Sequence, residues 1–169
     1  ARRPSARLGA RMLAGAPRLA REQRYLRGLY SGGTFCYEAC ALLGDVLGVV
    51  RSNAPVDHEL HLADVWHSVE HTVVDLGDDE FTRGRPHPMI DHPLRNERMA
   101  REAADPQVAV ILLDVVLGFG SHPDPAAEIV PAIESARAVA ARDGREIAFL
   151  GHICGTHRDP QNLQQQTAR

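Results

Sequence analysis

The sequence predicts an α/β fold, a three-layer sandwich around a mostly parallel sheet. Three observations lead there. Strand-length apolar runs alternate with stretches of helical spacing in the order β-α-β-α-β-α-β-α. The run 108–117 is almost wholly apolar, as a strand buried on both faces of a parallel sheet must be. The runs are followed by turns rich in Gly, Ser, Asp or Pro, the punctuation of strand-to-helix connections.

Taken in order, residues 1–25 form an arginine-rich linker or helix, and 26–169 form the domain. Residues 26–30 make the first strand, Ser31-Gly32-Gly33-Thr34 a glycine turn, and 35–47 a helix with apolar residues at helical spacing. A brief extended piece is expected over 46–50 before Ser52-Asn53-Ala54-Pro55 breaks it. The β-branched run 72–76 makes a second strand, stopped by Gly77-Asp78-Asp79. Residues 83–92, rich in Pro, Gly and His, form a long loop, and 93–104 are good helix formers closed by Asp105-Pro106. After the strand 108–117 comes an exit loop, Gly118-Phe119-Gly120-Ser121-His122-Pro123-Asp124-Pro125, then a helix over 126–141. The turn Asp143-Gly144 leads to a strand over 146–152, a loop over 154–160 and a polar helix starting at Gln161. No strand follows that helix, so the natural domain is expected to continue past Arg169 and to be incomplete at its C-terminal strand. Parallel sheets of this kind bind ligands beyond the carboxyl ends of their strands, where four of these loops gather.

Composition narrows the function classes. The chain has 169 residues, 44% hydrophobic and 24% charged, enough for one domain with its own core. Three cysteines with no pairing pattern and no signal peptide argue for reduced thiols and a cytoplasmic setting. No apolar stretch approaches the ~20 residues of a membrane helix. Net charge is −3, but residues 1–30 hold eight arginines and one acid (+7), whereas 31–169 hold 11 arginines and 21 acids (−10). The arginines of the lead segment alternate with apolar residues, the pattern of an amphipathic linker rather than a nucleic-acid contact. No nucleic acid and no membrane are expected as partners.

The turn 31–34 joins a strand to a helix, where free backbone N–H groups and the helix dipole favour phosphate or carboxylate. A plain helix cap would look the same, and the turn lacks both the lysine of a P-loop and dinucleotide-fingerprint spacing. The wider set of motifs is more specific. Leu29-Tyr30-Ser31-Gly32-Gly33-Thr34, Glu38-Ala39, Asp75-Leu76-Gly77-Asp78-Asp79, Gly84-Arg85-Pro86-His87-Pro88-Met89-Ile90-Asp91, the run 112–120, and Gly155-Thr156 before Arg158-Asp159-Pro160-Gln161 resemble the FdrA family, itself similar to succinyl-CoA synthetases. The match spans residues 26 to about 166.

The resemblance implies a flavodoxin-like, ligase-type domain from a larger protein, with a CoA-binding domain and possible partner subunits outside this chain. It implies no cofactor within the chain, phosphate or an acyl phosphate as ligand, and CoA only through a missing domain. The glycine-led turn of the synthetases resembles Ser31, Gly33, Thr34, Tyr37 and Glu38. Where a synthetase has a second glycine run this chain has Gly77-Asp78-Asp79, and no phosphohistidine motif is recognisable. Family members are also associated with purine and allantoin breakdown, as a subunit of an oxamate carbamoyltransferase. A small anionic substrate of that kind would be held by Ser31, Gly32, Gly33 and Thr34 with Arg83 and Arg85, with His87, Asp78 and Asp79 as candidates for orientation or proton transfer. Asp91, Gly118, Gly120, His122, Asp124 and Thr156 would support those loops. Acyl-CoA ligation and a non-catalytic scaffold remain the alternatives.

A second constellation is a decoy. His58, His61, His67, Glu70 and His71 crowd a short stretch, and His67-Ser68-Val69-Glu70-His71 matches the H-x-x-E-H pattern of some zinc peptidases. That chemistry needs both histidines on one helix face. Here the pattern runs into the strand at 72–76, so a solvated or opportunistic histidine-rich connector is expected rather than a catalytic zinc site, with His67, Glu70 and His71 as weak metal candidates that could take up nickel or zinc adventitiously.

Overall fold

The computed structural model describes residues 17–168; the arginine-rich lead over 1–16 lies outside the described residues. Four strands, β1 (Tyr25–Tyr30), β2 (Thr72–Asp75), β3 (Val108–Val116) and β4 (Ala148–Cys154), form one sheet in the order β2-β1-β3-β4. All three pairings are parallel, with Leu29 opposite both Val74 and Leu113, and Leu112 opposite Leu150. The helices are α1 (Gly33–Leu47), the short α2 (Asp79–Thr82), α3 (Pro93–Ala104), α4 (Pro125–Ala141) and α5 (Leu163–Thr167). The fold is therefore the α/β sandwich that the alternation predicts, flavodoxin-like in kind.

Side-chain alternation along the strands separates two cores. Leu29, Ile111, Leu113 and Val115 face α3 and α4, packing with Met99, Ala103, Ile129, Ala136 and Ala140. On the other face Gly28 brings Val73 and Tyr30 close, and Cys36 and Cys40 of α1 pack on Val50 and Val73. A Cβ at Gly28 would lie 2.9 Å from Val73 and 3.0 Å from the Tyr30 ring, so glycine is what admits those two side chains side by side on this face of β1. Helix α3 buries charge as well as apolar surface. Glu102 accepts from Arg27 (2.7 Å) and Arg98 (2.6 Å), and Arg27 also reaches Asp105 (2.8 Å), a paired network under the sheet that leaves Arg27 Nη1 buried without a partner.

Several boundaries differ from the sequence reading: β4 runs on to Cys154 rather than 152, α2 occupies 79–82 where a turn was expected, α5 starts at Leu163 rather than Gln161, and two more have a clear cause. Residues 48–50 form no strand; α1 runs to Leu47, and Arg51 and Ser52 make only isolated bridges. β4 begins at Ala148 rather than at 146, because Arg145 donates to the carbonyls of Ala103 and Asp105 while Gln23 binds the carbonyl of Glu146. Those residues are committed elsewhere before the strand can start.

Candidate functional site

With every strand parallel, β1, β2 and β3 all end at one edge of the sheet. The chain leaves β1 for β2 on one side and returns to β3 on the other, so the crevice at this switch point lies between the ends of β1 and β3. Ser31 and Asp114 fill it. The Ser31 N–H donates to Asp114 Oδ1 at 2.9 Å and its hydroxyl to Oδ2 at 2.6 Å. Arg95, on the first turns of α3, donates to the Asp114 carboxylate (3.1 Å) and carbonyl (2.6 Å). All three residues are buried. The 31–34 turn is thus anchored from below by a neutralised carboxylate, and the Ser31 hydroxyl is engaged with Asp114.

Gly32 is the N-cap of α1 and carries no side-chain cap, so the N–H groups that open the helix point outward from the turn. Asp75, at the end of β2, lies over them. Its backbone is pinned by Asn53, whose amide donates to the Asp75 carbonyl (3.0 Å) and accepts its N–H (2.9 Å). Asp75 Oδ1 accepts the Gly77 N–H at 2.8 Å, and Oδ2 lies 3.1 Å from where a Cβ at Gly33 would stand. Burial pushes the Asp75 carboxyl above the usual carboxylate range, helped by Asp78 and Asp114 and opposed by the Gly77 N–H and His87.

His87 closes the group from the long loop. Its Nδ1 accepts the Met89 N–H at 3.2 Å, which leaves Nε2 as the protonated nitrogen of the neutral ring. Nε2 lies 2.5 Å from a Cβ position at Gly77, and the Ser31 carbonyl lies 2.8 Å from the same point. Two glycines therefore allow Ser31, Asp75 and His87 to converge on the N-terminus of α1. In this cradle, potential donors (helix N–H groups, the imidazole) and acceptors (a carboxylate oxygen, a carbonyl) thus lie within a few ångströms of one another.

The other expected residues are distributed differently. Asp78 caps α2, accepting the Glu80 N–H at 3.0 Å, and Asp79 is exposed in the same helix. Arg83 and Arg85 make no hydrogen bond or ion pair with the 31–34 turn; Arg85 stacks over Trp66 at 5.9 Å and Arg83 lines a shallow concavity with residues 61–66 and Glu80. The guanidinium fork expected around an anion is not assembled there. Thr34 is exposed, and Asp91 donates its N–H to the His87 carbonyl.

The third loop is locked by Gln161, whose side chain accepts from Gly118 N–H and donates to the Gly118 carbonyl, Ser121 Oγ and the His122 carbonyl. Gly118 and Gly120 both have positive φ, which favours glycine. His122 Nδ1 accepts the Asp124 N–H and its Nε2 lies 3.4 Å from Glu128. Asp124 is the N-cap residue of α4, but its carboxylate accepts from Gln166. Thr156 is exposed, with its N–H given to Asp159.

In the histidine-rich stretch, His67 pairs with Asp64 at 2.6 Å, His71 Nδ1 accepts the Leu26 N–H at 3.1 Å, and Glu70 between them has φ of 52°. The two histidines share no helix, and no group of three metal-ligating side chains converges among the described residues.

Sequence reasoning missed Asp75, Asn53, Asp114, Arg95 and His92. Asp114 had a signal, a lone acid inside a nine-residue apolar strand. His92 is buried, donates Nδ1–H to the Pro88 carbonyl (2.9 Å) and packs against the His122 ring, tilted by 42° with centroids 5.0 Å apart. Burial, with Arg95 next to it, holds its pKa down at about 4.

Comparison with known proteins agrees with this architecture. The family model for CoA-ligase matches residues 29–169, from the end of β1 onward. An Escherichia coli (strain K12) protein described as uncharacterized protein YahF is 47% identical over 150 residues, 89% of this chain. The chain spans 29% of that relative's length. A parallel sheet, a glycine-led turn at its switch point and a family match over most of the sequence lead to one assignment: the chain belongs to the CoA-ligase family, as a succinyl-CoA synthetase-like domain.

Proposed function

We propose that this domain belongs to an FdrA-like enzyme and holds a phosphate or small carboxylate substrate during acyl- or carbamoyl-group transfer, as in oxamate carbamoyltransferase chemistry. The observation that carries the proposal is the convergence at Gly77, where His87 Nε2, the Ser31 carbonyl and Asp75 meet over the α1 N-terminus. In this reading the helix N–H groups take the oxygen that gains charge, and His87 passes the proton. Asp114 and Arg95 keep the turn in place. CoA, where it is used, is held by another domain of the larger protein, and partner subunits complete the site in the cytoplasm.

Acyl-CoA ligation is the second reading, favoured by the family match itself.

The test is thermal denaturation with and without phosphate, oxamate and carbamoyl phosphate, on the wild type, Gly33→Asp and His87→Gln. A ligand at 100 times its Kd adds about 2.7 kcal/mol to a folded protein. At this chain length that corresponds to a rise of roughly 5–10 °C. The rise is expected in the wild type, to vanish in Gly33→Asp, and to shrink in His87→Gln. No shift with any of the three ligands would sink the proposal.

A further inference from the structure

We infer that Cys36 and Cys40 form a reversible oxidation site, in which the Cys40 sulfur reacts with a small uncharged peroxide and Cys36 then closes a disulfide within α1. Neither residue belongs to the cradle at Gly77, and the reaction asks nothing of the function proposed above.

Two thiols and a hydroxyl meet on the buried face of α1. Cys36 and Cys40 stand one helical turn apart and pack together with Val50 and Val73. Cys36 Sγ lies 3.5 Å from Ser52 Oγ and 3.8 Å from the Val73 carbonyl, and the Ser52 oxygen already accepts the Ala54 N–H at 2.9 Å. The Ser52 O–H is thereby left to donate to sulfur.

The two sulfurs differ in access. Cys36 is 0% exposed, whereas Cys40 is 6% exposed and borders an open concavity of about 170 Å³ between α1 and the 56–60 segment. Gly44, one turn beyond Cys40, has nothing within 4 Å of its Cβ position, so no side chain closes the mouth there. Val50, Val56 and Leu60 make the lining apolar, while the exposed Asp45 and Asp57 add negative charge to it. Such a mouth favours an uncharged oxidant over an anionic disulfide. The two thiols also differ in proton affinity. A hydrogen bond from Cys36, with another from Ser52, holds the Cys40 thiol below its usual range, and the same bond, with burial, pushes the Cys36 thiol up. The reachable sulfur is thus the nucleophile, and the one behind it is the resolving thiol.

In the first step the Cys40 thiolate attacks one peroxide oxygen, the O–O bond breaks, and the leaving hydroxide takes up a proton as water. Cys40 is then a sulfenic acid. In the second step Cys36 attacks that sulfur, an S–S bond forms, and the sulfenic OH leaves with the Cys36 proton as a second water. Two electrons pass from the thiol pair to the peroxide. On a regular helix Cβ atoms one turn apart are about 5–6 Å from each other, and a disulfide draws them to about 3.5–4.5 Å. The first turn of α1 must give, and it is lightly held: the Cys36 N–H reaches the Gly32 carbonyl at 3.3 Å, and Gly32 supplies no side-chain cap. A bond closed under strain is readily reduced again.

The test exposes the full chain to hydrogen peroxide and maps its thiols by mass spectrometry in the wild type, Cys36→Ser, Cys40→Ser and Cys154→Ser. Both cysteines lie in the tryptic peptide 28–51, and Cys154 lies in another. The wild type and Cys154→Ser are expected to lose two hydrogens from peptide 28–51 and to regain them in dithiothreitol. In Cys36→Ser the sulfenic acid should accumulate at Cys40, with dimedone trapping about tenfold or more above the wild type. In Cys40→Ser, Cys36 should stay reduced. Glutathione disulfide, an anion, should oxidise the wild-type pair more slowly than peroxide at equal concentration. Oxidation at Cys154 with peptide 28–51 unchanged overturns the site. Sulfenic acid at Cys40 of the wild type without the disulfide overturns the role of Cys36, and faster oxidation by glutathione disulfide overturns the preference for an uncharged oxidant. Should a variant fail to fold, the wild-type peptide map decides alone.

Discussion

Replacing Gly77 by alanine tests the geometry of the cradle most directly. The added Cβ would stand 2.5 Å from His87 Nε2, 2.8 Å from the Ser31 carbonyl oxygen and 3.1 Å from Asp75 Oδ1. All three lie inside the ~3.5 Å at which nonbonded heavy atoms begin to repel. The imidazole could swing away, but the Ser31 carbonyl is backbone held at the end of a central strand, and the same residue is tied to Asp114 by two hydrogen bonds. The clash is therefore not relieved by a side-chain rotation. Overpacking of this kind costs about 1–3 kcal/mol. For a chain of this size a loss of ~2 kcal/mol lowers Tm by roughly 4–8 °C, read by circular dichroism or calorimetry. Gly44→Ala serves as the control of opposite sign. It lies within α1 with nothing within 4 Å of its Cβ position, so alanine should stabilise by about 0.5–1 kcal/mol. If Gly77→Ala melts within a degree of the wild type, His87 does not close on Gly77 and the cradle is looser than argued.

Three further outcomes follow from the same contacts. Asp114→Ala leaves the Arg95 guanidinium buried without its carboxylate and should cost about 3–5 kcal/mol, whereas Asp114→Leu combined with Arg95→Met should cost less than the sum of the single changes, measured by denaturant unfolding. His92 has a folded pKa of about 4 against an ordinary value near 6.5. The unfolded chain therefore takes up that proton first, so stability from this residue is present above pH ~6.5 and is lost as pH falls toward 4, by up to roughly 3 kcal/mol. His92→Phe should flatten that part of a stability-versus-pH curve, and an unchanged slope would count against the assignment. Gln161→Ala strips partners from Gly118, Ser121 and His122, should cost about 1–3 kcal/mol, and should speed amide hydrogen exchange in the 118–122 loop; unaltered exchange there would show that the loop holds itself.

The fold was legible because it rests on local patterns. An apolar run buried on both faces reads as a parallel strand wherever it occurs, and helical spacing reads as a helix. Errors fell where side chains from distant segments intervene and where a short-range cap builds a helix too brief to show periodicity. β4 starts two residues late because Arg145 and the Glu146 backbone are held by α3 and by Gln23. Asp78 and Asp79 read as a turn, but Asp78 caps a short helix instead. Within the candidate site, Ser31, Gly33 and His87 were visible as motif residues. Asp75 stood in a motif too but was not singled out for the site, because as the last residue of a strand it reads as part of the turn that follows.

By itself, then, the sequence determined the alternation of strands and helices, the glycine turn after β1, and a chain whose strand-end loops share one edge. Those depend on periodicity and turn chemistry, which act over a few residues. Tertiary structure alone decided which charges meet. Arg95 reaches Asp114, 19 residues on, and Asp114 reaches Ser31 across 83 residues. It likewise turned Arg83 and Arg85 toward the 61–66 segment and laid Asp75 over α1. Electrostatic partnership depends on distance and burial in space, and neither quantity is encoded in spacing along the chain.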